Sequence, residues 1–425
     1  MDRPTRRELL GRSAAAVVGG FLGAGTGPVA FAAARCREKL PVAAIVTVYN
    51  RSSHADVIVG KILEGYRQDG GVGPDLRLLS LYTDQVSEHD ISRALAEKHG
   101  FPIVRSIDEA LTLGTDQIQV AGVLSIGEHG DYPLTPDTKQ RMYPRRRFFD
   151  EIVATFRRCG KSVPVFNDKH LSWRWDDARF MVDTARSMNF PLLAGSSLPV
   201  AWRFPALELP RDCEIDAALS VGYGGLEDYG YHAIEAHQSL IERRRGGESG
   251  IVSVQAVQGE EIRRAESEGR WSSELFAAAL RQLPGAPQDT GDWTSNSSAA
   301  VYLLKHRDGL QSAVVMANGL AGQFAGAVRL KGQSEPRANW FRLQEGAPFG
   351  HFAYLVKAIE HTVHTGVAAY PAERTLLTTG ITARIMQSLA QNGALLETPE
   401  LEVSWTATDW PFANHPASQL EVPFE

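Results

Sequence analysis

A lysine, a carboxylate and an imidazole of this chain have the chemistry to act together on an alcohol if the fold brings them together. Lys169 follows a short apolar run, residues 162–166, with the composition of a buried strand, and parallel sheets bind ligands at the carboxyl ends of their strands. Asp228 and His232 are four residues apart, so on a helix they share one face. His232 would accept a hydroxyl proton, Lys169 would stabilise the developing alkoxide, and Asp228 would orient the substrate or the imidazole. Taken singly, each is better explained as a surface lysine or a helix-capping residue.

A second polar cluster, Glu128, His129 and Asp131, follows another apolar run, residues 120–126. The cluster suits contact with a substrate or cofactor, and its side chains are also of the types that bind metals. Because ligands this close in sequence rarely complete a metal site without distant partners, we expect substrate or cofactor contact here and no metal.

The composition is that of a globular chain long enough for two or three domains. Of its 425 residues, 43% are hydrophobic and 22% are charged, and the formal net charge is -6. This acidic balance disfavours nucleic acid as a partner, since phosphate binding requires a basic surface. Cys36, Cys159 and Cys213 lack metal-ligand spacing, and either one bridge between Cys159 and Cys213 or none is compatible with the sequence.

The first 34 residues have the pattern of an export signal. Arg6 and Arg7 precede an apolar run rich in alanine and glycine, residues 14–25, and small residues at Ala30 and Ala32 suit signal peptidase. We expect the twin-arginine translocase to export the folded chain to the periplasm or beyond, with no stable membrane insertion after cleavage. An ordinary secretory signal or an uncleaved anchor is the alternative.

Residues 40–198 alternate between short apolar runs and amphipathic segments, which predicts a doubly wound α/β domain with a parallel sheet. The predicted strands cover residues 42–48, 76–82, 120–126, 162–166 and 191–194, and the predicted helices cover 57–66, 91–99, 147–159 and 175–188. Ser106 and Glu109 have the spacing of a capping box ahead of a further helix.

Residues 199–425 have a different pattern, with longer alternating strands, which predicts an α+β domain. Its strands are expected at residues 213–223, 251–257, 299–305, 311–317 and 325–331, with a strand-like tail at 401–406. Its helices are expected at 229–243, 272–282, 354–364 and 376–392, and residues 284–298 read as a loop.

Three segments together resemble the Gfo/Idh/MocA oxidoreductase family. Residues 163–170, VPVFNDKH, match the strand end where the family has Glu-Lys-Pro, with Lys169 on the family lysine and Asp168 and His170 in place of the glutamate and proline. Residues 224–232, GGLEDYGYH, match a glycine-rich turn followed by Asp-x-x-x-His, and residues 352–380 resemble the closing helices of the second domain.

The resemblance implies a Rossmann-like nucleotide-binding domain joined to an α+β domain with a large open, mostly antiparallel sheet, and a possible homo-oligomer. It assigns catalysis to Lys169, Asp228 and His232. It places Asp84, at the end of the second strand, on the ribose hydroxyls, where aspartate favours NAD over NADP; a role as a turn residue is an equal alternative for Asp84. The loop of Gly127, Glu128 and His129 would lie on the nicotinamide side.

The first loop departs from the family pattern. Val46, Val48 and Arg51 stand where the family has three glycines that let backbone amides approach a pyrophosphate. Two outcomes are compatible with this loop. Either side chains hold the phosphates, with Arg51 as a cationic clamp, or the nucleotide has been lost. The residues that would contact the cofactor here are Thr47, Tyr49, Asn50, Arg51 and Ser52.

The resemblance therefore implies an exported oxidoreductase that passes a hydride between tightly bound NAD(P) and a hydroxyl of a sugar, sugar acid or cyclitol. An NAD-assisted glycoside hydrolase or lyase is one alternative. A non-catalytic sugar-binding protein that has lost the nucleotide is another. Trp173, Trp175 and Trp202 are near the expected cleft in sequence and would either stack on a sugar ring or pack in the core.

Overall fold

Two sheets, one from each half of the chain, organise the molecule. The computed structural model describes residues 38–285, 287 and 290–418, so the predicted export signal lies outside the described residues. Within this part of the chain, six strands form the first sheet and eight form the second.

The first sheet is parallel and doubly wound. Its strands are β1 (Leu40–Val46), β2 (Leu76–Thr83), β3 (Ile103–Val104), β4 (Gly122–Ile126), β5 (Val165–Asp168) and β6 (Leu192–Gly195). They alternate with α1 (His54–Glu64), α2 (Ser92–His99), α3 (Ile107–Thr112), α4 (Arg145–Cys159) and α5 (Trp175–Ser187). The order β3-β2-β1-β4-β5-β6 reverses direction between β1 and β4, which is where folds of this class bind ligands.

Local sequence signals explain where these helices begin and end. Gly100 and Gly160 end α2 and α4 in the left-handed conformation that glycine favours. Ser106 caps α3 by accepting the Glu109 amide, as predicted. The Glu109 carboxylate, however, accepts the amide of Arg105, so only half of the predicted capping box forms.

The second sheet is mixed and mostly antiparallel, as expected. Its strands are β7 (Trp202–Phe204), β8 (Ile215–Gly222), β9 (Ile251–Val257), β10 (Ala300–His306), β11 (Gln311–Met316), β12 (Phe324–Leu330), β13 (Arg337–Arg342) and β14 (Leu396–Glu397). They follow the order β14-β9-β10-β11-β8-β12-β13-β7, in which β11 and β8 are the parallel pair.

Helices cover both faces of the second sheet. α6 (Asp228–Ile241) and α10 (Ala372–Ala390) pack on one face, and α8 (Ser273–Leu280) packs on the other, next to α7 (Glu260–Ser267). Adjacent residues of β8 follow this division, because Ala218 lies in the core beneath α6 whereas Leu219 lies in the core beneath α8. α6 therefore lies between the second sheet and the first half of the chain, where its side chains can reach both.

The predicted strand at residues 401–406 is wrong. Burial does alternate there, with Leu401, Val403 and Trp405 inward, but the backbone pairs only at a single bridge between Glu248 and Trp405. β9 pairs with β14 instead of with this segment. The alternating burial of residues 401–406 therefore comes from side-chain packing and not from strand pairing. α7 was not predicted, since Ile262 and Ala265 are its only buried residues and too few to give a helical period.

The helix α9 (His351–Thr365) returns to the first half of the chain. It packs against α1, and its apolar face shares one core with β1, although the sequence grouped it with residues 199–425. Gly122 of β4 allows this contact, because a Cβ there would lie 2.6 Å from Cγ2 of Val363.

Two further findings concern cysteines and membranes. Cys159 and Cys213 are free thiols in the structure, so the bridge considered between them is not formed. Over the described ranges, no helix combines the length and apolar character needed to cross a bilayer.

Adding a methyl group at residue 122 tests how α9 docks. We expect Gly122→Ala to lower the free energy of unfolding by about 1–3 kcal/mol, because Val363 must move. Val363→Ala should relieve the clash. In urea denaturation, the double variant should therefore lose less unfolding free energy than the two single variants together, by at least about 0.5 kcal/mol. Val356→Ala, a buried valine on the same helix, should combine additively with Gly122→Ala. If the losses of unfolding free energy were additive in both double variants, Val363 would not pack against Gly122 as described.

Candidate active site

Lys169 leaves the end of β5 in a strained backbone conformation. Its φ is 66°, a left-handed value that is uncommon for a lysine, and its amide donates to the Gly195 carbonyl of β6 at 3.1 Å. The side chain is 6% exposed. Strain of this kind persists where the surroundings fix one side-chain direction, and here the side chain reaches α6.

Lys169 and His232 are in direct contact. The Lys169 Nζ lies 2.7 Å from Nε2 of His232, on the first turns of α6. An ammonium group only donates, so Nε2 is the acceptor and the ring carries its proton on Nδ1. Burial, together with the positive charge of Lys169, holds the pKa of His232 well below its usual value. The imidazole is therefore neutral, and its Nε2 carries no proton.

A chain of hydrogen bonds supports the far side of the imidazole. His232 Nδ1 lies 3.0 Å from the hydroxyl of Ser196, which follows β6, and this hydroxyl donates to Glu235 on the next turn of α6. The Ser196 amide also donates to Glu235, at 3.0 Å. Burial raises the pKa of Glu235, and these Ser196 hydrogen bonds oppose that shift. Ser196 and Glu235, which the sequence reasoning missed, fix the tautomer and orientation of His232.

Glu128 is a charge partner of Lys169, although it was predicted to contact the cofactor. Its carboxylate pairs with Arg145 at 2.5 Å and lies 3.6 Å from Lys169 Nζ. Burial alone would raise the pKa of Glu128, but the positive charges of Lys169 and Arg145 hold it well below the usual range. Thr47 donates its hydroxyl to the Glu128 carbonyl at 2.6 Å, and Gly127 leaves room for the Arg145 side chain, 2.7 Å from where a Cβ would be.

These groups border a cleft of about 340 Å³. Lys169 and Asp228 line it, and Lys169 is in contact with His232. Asp228 begins α6 and is exposed, and in the described part of the chain it forms no hydrogen bond with Lys169 or His232. The structure thus brings the lysine and histidine together and leaves the aspartate free to contact a ligand. Other lining residues are Glu128, Arg141, Tyr143, His170 and Glu227.

Glu227 is a second candidate that the sequence reasoning missed. Its Oε2 accepts the Arg141 amide at 2.9 Å, and its Oε1 is buried without a partner among the described residues. Burial raises the pKa of Glu227 to about 7, so the carboxyl can exchange a proton near neutral pH. The sequence feature that could have identified Glu227 is its position next to Asp228, directly after a glycine-rich turn. The two residues form an acidic pair that faces the end of β5.

The loop between β1 and α1 is held by the chain's own side chains. Tyr49 is fully buried and its hydroxyl has no partner among the described residues. Asn50 accepts a hydrogen bond from Ser87 at 2.6 Å. Arg51 is exposed and forms no ion pair with any described residue. Of these predicted cofactor contacts, Arg51 is thus available to an anion, Tyr49 is buried, and Asn50 has its amide oxygen engaged by Ser87.

The start of α1 already holds a negative charge. The Ser52 amide donates to the Asp56 carboxylate at 2.7 Å, and the Ser53 hydroxyl caps the Asp56 amide. His54 lies 2.6 Å from Asp168, which ties this end of the helix to β5. A helix N-terminus attracts one anion, and here a buried carboxylate takes that place.

Asp84 is likewise engaged within the protein. It accepts hydrogen bonds from Tyr82 at 2.8 Å and Tyr132 at 2.7 Å, and it pairs with Arg147 at 2.5 Å. Burial would raise the pKa of Asp84, but these partners hold it below its usual value.

A bridge also crosses the carboxyl end of β1. Gln85 exchanges two hydrogen bonds with the backbone of Asp131, at 2.8 and 2.9 Å, and a Cβ at Gly130 would lie 3.3 Å from Val48. With Asp56 and Asp84 engaged as well, these residues do not fit a dinucleotide whose pyrophosphate lies on the α1 N-terminus and whose ribose lies on Asp84.

The remaining predicted residues lie at the edge of this region. His129 is exposed with a φ of 66°, and its ring meets that of His54 edge-on, with centroids 5.5 Å apart. Trp202 packs against Tyr354 at 5.2 Å in the core, away from the sugar-stacking role considered for it. Among the described residues, no three His, Cys, Asp or Glu side chains form a group that could hold a metal.

Solved structures share this fold. The chain resembles a myo-inositol dehydrogenase from Corynebacterium glutamicum with 13% identity and a TM-score of 0.52, over 84% of this chain and 98% of that one. It resembles a scyllo-inositol dehydrogenase from Lactobacillus casei with 9% identity and a TM-score of 0.51, over 85% and 98%. An enzyme of gentamicin A biosynthesis, solved with NAD, is 15% identical with a TM-score of 0.52, over 88% and 99%.

At these identities the likeness establishes the fold, which is the two-domain architecture that the resemblance to the Gfo/Idh/MocA family implied. No family model matches the chain, and no curated protein matches it by sequence.

Replacing Glu227 should change how stability depends on pH. Its folded pKa of about 7 exceeds the unfolded value, so the stability contributed by its proton is present in acid and is lost as pH rises towards 7. Relative to wild type, Glu227→Gln should therefore gain about 1–3 kcal/mol of unfolding free energy between pH 5 and pH 8, measured by urea denaturation. The control is Met386→Leu, a change in a side chain that lines the same cleft and does not titrate, and its stability curve should run parallel to that of wild type. If the unfolding free energy of Glu227→Gln followed that of wild type at every pH, Glu227 would not have a raised pKa.

Proposed function

We propose that this protein is an oxidoreductase acting on a CH–OH group of a sugar, sugar acid or cyclitol, with Lys169 and His232 handling the hydroxyl proton. The observation that carries the proposal is the 2.7 Å contact between these side chains beside a cleft that Asp228 also lines. The fold supports it, because the solved neighbours include dehydrogenases of inositols.

The contacts support a two-step path for the proton. A substrate hydroxyl in the cleft can meet Lys169, which lines the cleft and contacts His232. As the hydroxyl proton passes to Lys169, Lys169 passes one of its own to His232 Nε2, and the net result is an imidazolium. Ser196 and Glu235 then stabilise the new positive charge, and Asp228 can bind neighbouring hydroxyls.

Completing the oxidation requires a hydride acceptor, for which we propose tightly bound NAD or NADP. The family resemblance and the neighbour solved with NAD support this choice. Since the first loop does not fit the family's glycine-type contact with a pyrophosphate, Arg51 is the side chain of that loop best able to meet a phosphate. The proton path through Lys169 uses no atom of the nucleotide.

We further propose that the protein works outside the cytoplasm after export by the twin-arginine translocase. Arg6 and Arg7 ahead of a weakly apolar run support this route. Export of a folded chain suits an enzyme that must carry its cofactor with it.

Native mass spectrometry of protein exported with its own signal tests these points together. We expect a mature mass that lacks about the first 34 residues, and one NAD or NADP per chain. The same spectrum gives the oligomeric state. Bound nucleotide that never changes its net redox state during turnover would favour the hydrolase or lyase alternative. Sugar binding without any nucleotide would favour the non-catalytic alternative, and either result would overturn the oxidoreductase proposal.

Lys169→Met should abolish most turnover. We expect kcat/KM for the sugars and cyclitols that the wild type converts to fall by about 10³-fold, because the methionine can neither relay the proton nor stabilise the alkoxide. Lys139→Met is the matched control, since Lys139 is an exposed lysine lining the same cleft, and it should retain activity within about threefold of wild type. Thermal unfolding should show both variants folded. Wild-type activity in Lys169→Met would refute the assignment.

A further inference from the structure

A second cavity, of about 900 Å³, adjoins the candidate active site. Its walls are the segment of residues 135–142, the turn between β5 and α5, and one face of α10. Among its lining residues are Trp173, Trp175, Gln140, Arg384 and Gln387. We refer to it as the tryptophan groove.

The two tryptophans lie just beyond Lys169 in sequence. Trp175 is fixed in place, because Gly380 of α10 approaches so closely that a Cβ there would lie 2.8 Å from the Trp175 Cε3. Trp173 is half-buried and lines the same groove. The Arg174 guanidinium lies over one face of the Trp173 ring, 5.7 Å from its centre. The flat apolar faces of such rings are suited to packing against the carbon face of a sugar.

The polar lining suits an uncharged ligand rich in hydroxyls. Gln140 and Gln387 contribute amides, and charges of both signs are present, with Arg384 paired to Glu400 at 2.6 Å. Because the cations are balanced in this way, the groove has no excess of positive charge to attract phosphate or another anion. Aromatic surface beside convergent amides is a common lining of small-molecule sites.

The groove and the catalytic cleft share their walls. Gln140 lines the groove, and the amide of the next residue, Arg141, donates to Glu227, which lines the cleft. α10 contributes Gln387 to the groove and Met386 to the cleft. Residues 138–143 are thus a common wall, with alternate residues facing the cleft and the groove, and a ligand with one part in the cleft would cross this wall to reach the groove.

We propose that the tryptophan groove binds the further rings of a glycoside or oligosaccharide whose reacting ring lies beside Lys169. This inference rests on the proposed function, since it assumes that the cleft takes a sugar. The cleft of about 340 Å³ suits a single ring, whereas the adjoining 900 Å³ is more than a free monosaccharide or cyclitol requires. The substrate class is thus a linked carbohydrate.

Binding measurements with sugars of graded length test the inference. The probes are cello-, malto-, xylo- and manno-oligosaccharides of two to four residues, together with their monosaccharides, measured by titration calorimetry. We expect at least one oligosaccharide series to bind the wild type at least tenfold more tightly than its own monosaccharide.

Variants then locate the extra affinity. Trp173→Ala should remove most of the gain and leave monosaccharide binding unchanged, and Trp173→Phe should restore part of it. Phe180→Ala is the matched control, because Phe180 is an exposed aromatic residue that follows Trp175 on α5 and does not line the groove. It should bind all probes as the wild type does.

The possible failures are distinguishable. Monosaccharide binding without any gain for longer sugars, or a gain that Trp173→Ala leaves intact, would overturn the groove assignment while the proposed function stands. Failure of every sugar to bind would count against both.

Discussion

The site depends on keeping the ammonium of Lys169 charged and correctly aimed while nearly all of its side chain is removed from water. Burying a charge is costly unless other groups replace its hydration. Here Glu128 supplies the opposite charge from the first sheet's side, and neutral His232 supplies an acceptor from α6. Because these partners come from different halves of the chain, the two halves must pack correctly for Lys169 to be held. The positions of the catalytic side chains therefore depend on how the two halves of the chain pack together.

That constraint explains the polar groups behind the site. His232 can accept from Lys169 only in the tautomer that carries its proton on Nδ1, and Ser196 with Glu235 selects that tautomer. Glu128 can remain ionised because Lys169 and Arg145, the latter fully buried, both place positive charge beside it. Each of these groups acts on substrate through Lys169 or His232, which makes them positioning residues.

The sequence predicted most of the first sheet, since buried runs followed by helical spacing are local signals. It also predicted that Lys169 and His232 would meet, because the family resemblance carries that long-range contact. It did not predict Ser196 or Arg145 in the site, since their roles depend on contacts between residues distant in sequence. The predicted strand at residues 401–406 was wrong for the opposite reason. Its side chains do alternate in burial, but its backbone pairs with the rest of the described chain only at a single bridge.

The departures from the family pattern are connected to one another. In the family the loop after the first strand is open to a ligand, whereas here His54 at the start of α1 bonds to Asp168, the residue that replaces the family glutamate. With that contact in place, α1 is anchored to β5, and Asp56 supplies the anion at the helix N-terminus. A loop stabilised by its own side chains no longer needs glycines, because no phosphate has to approach its backbone closely. Asp168 thus anchors the glycine-free loop to β5 through His54, next to the contact between Lys169 and His232.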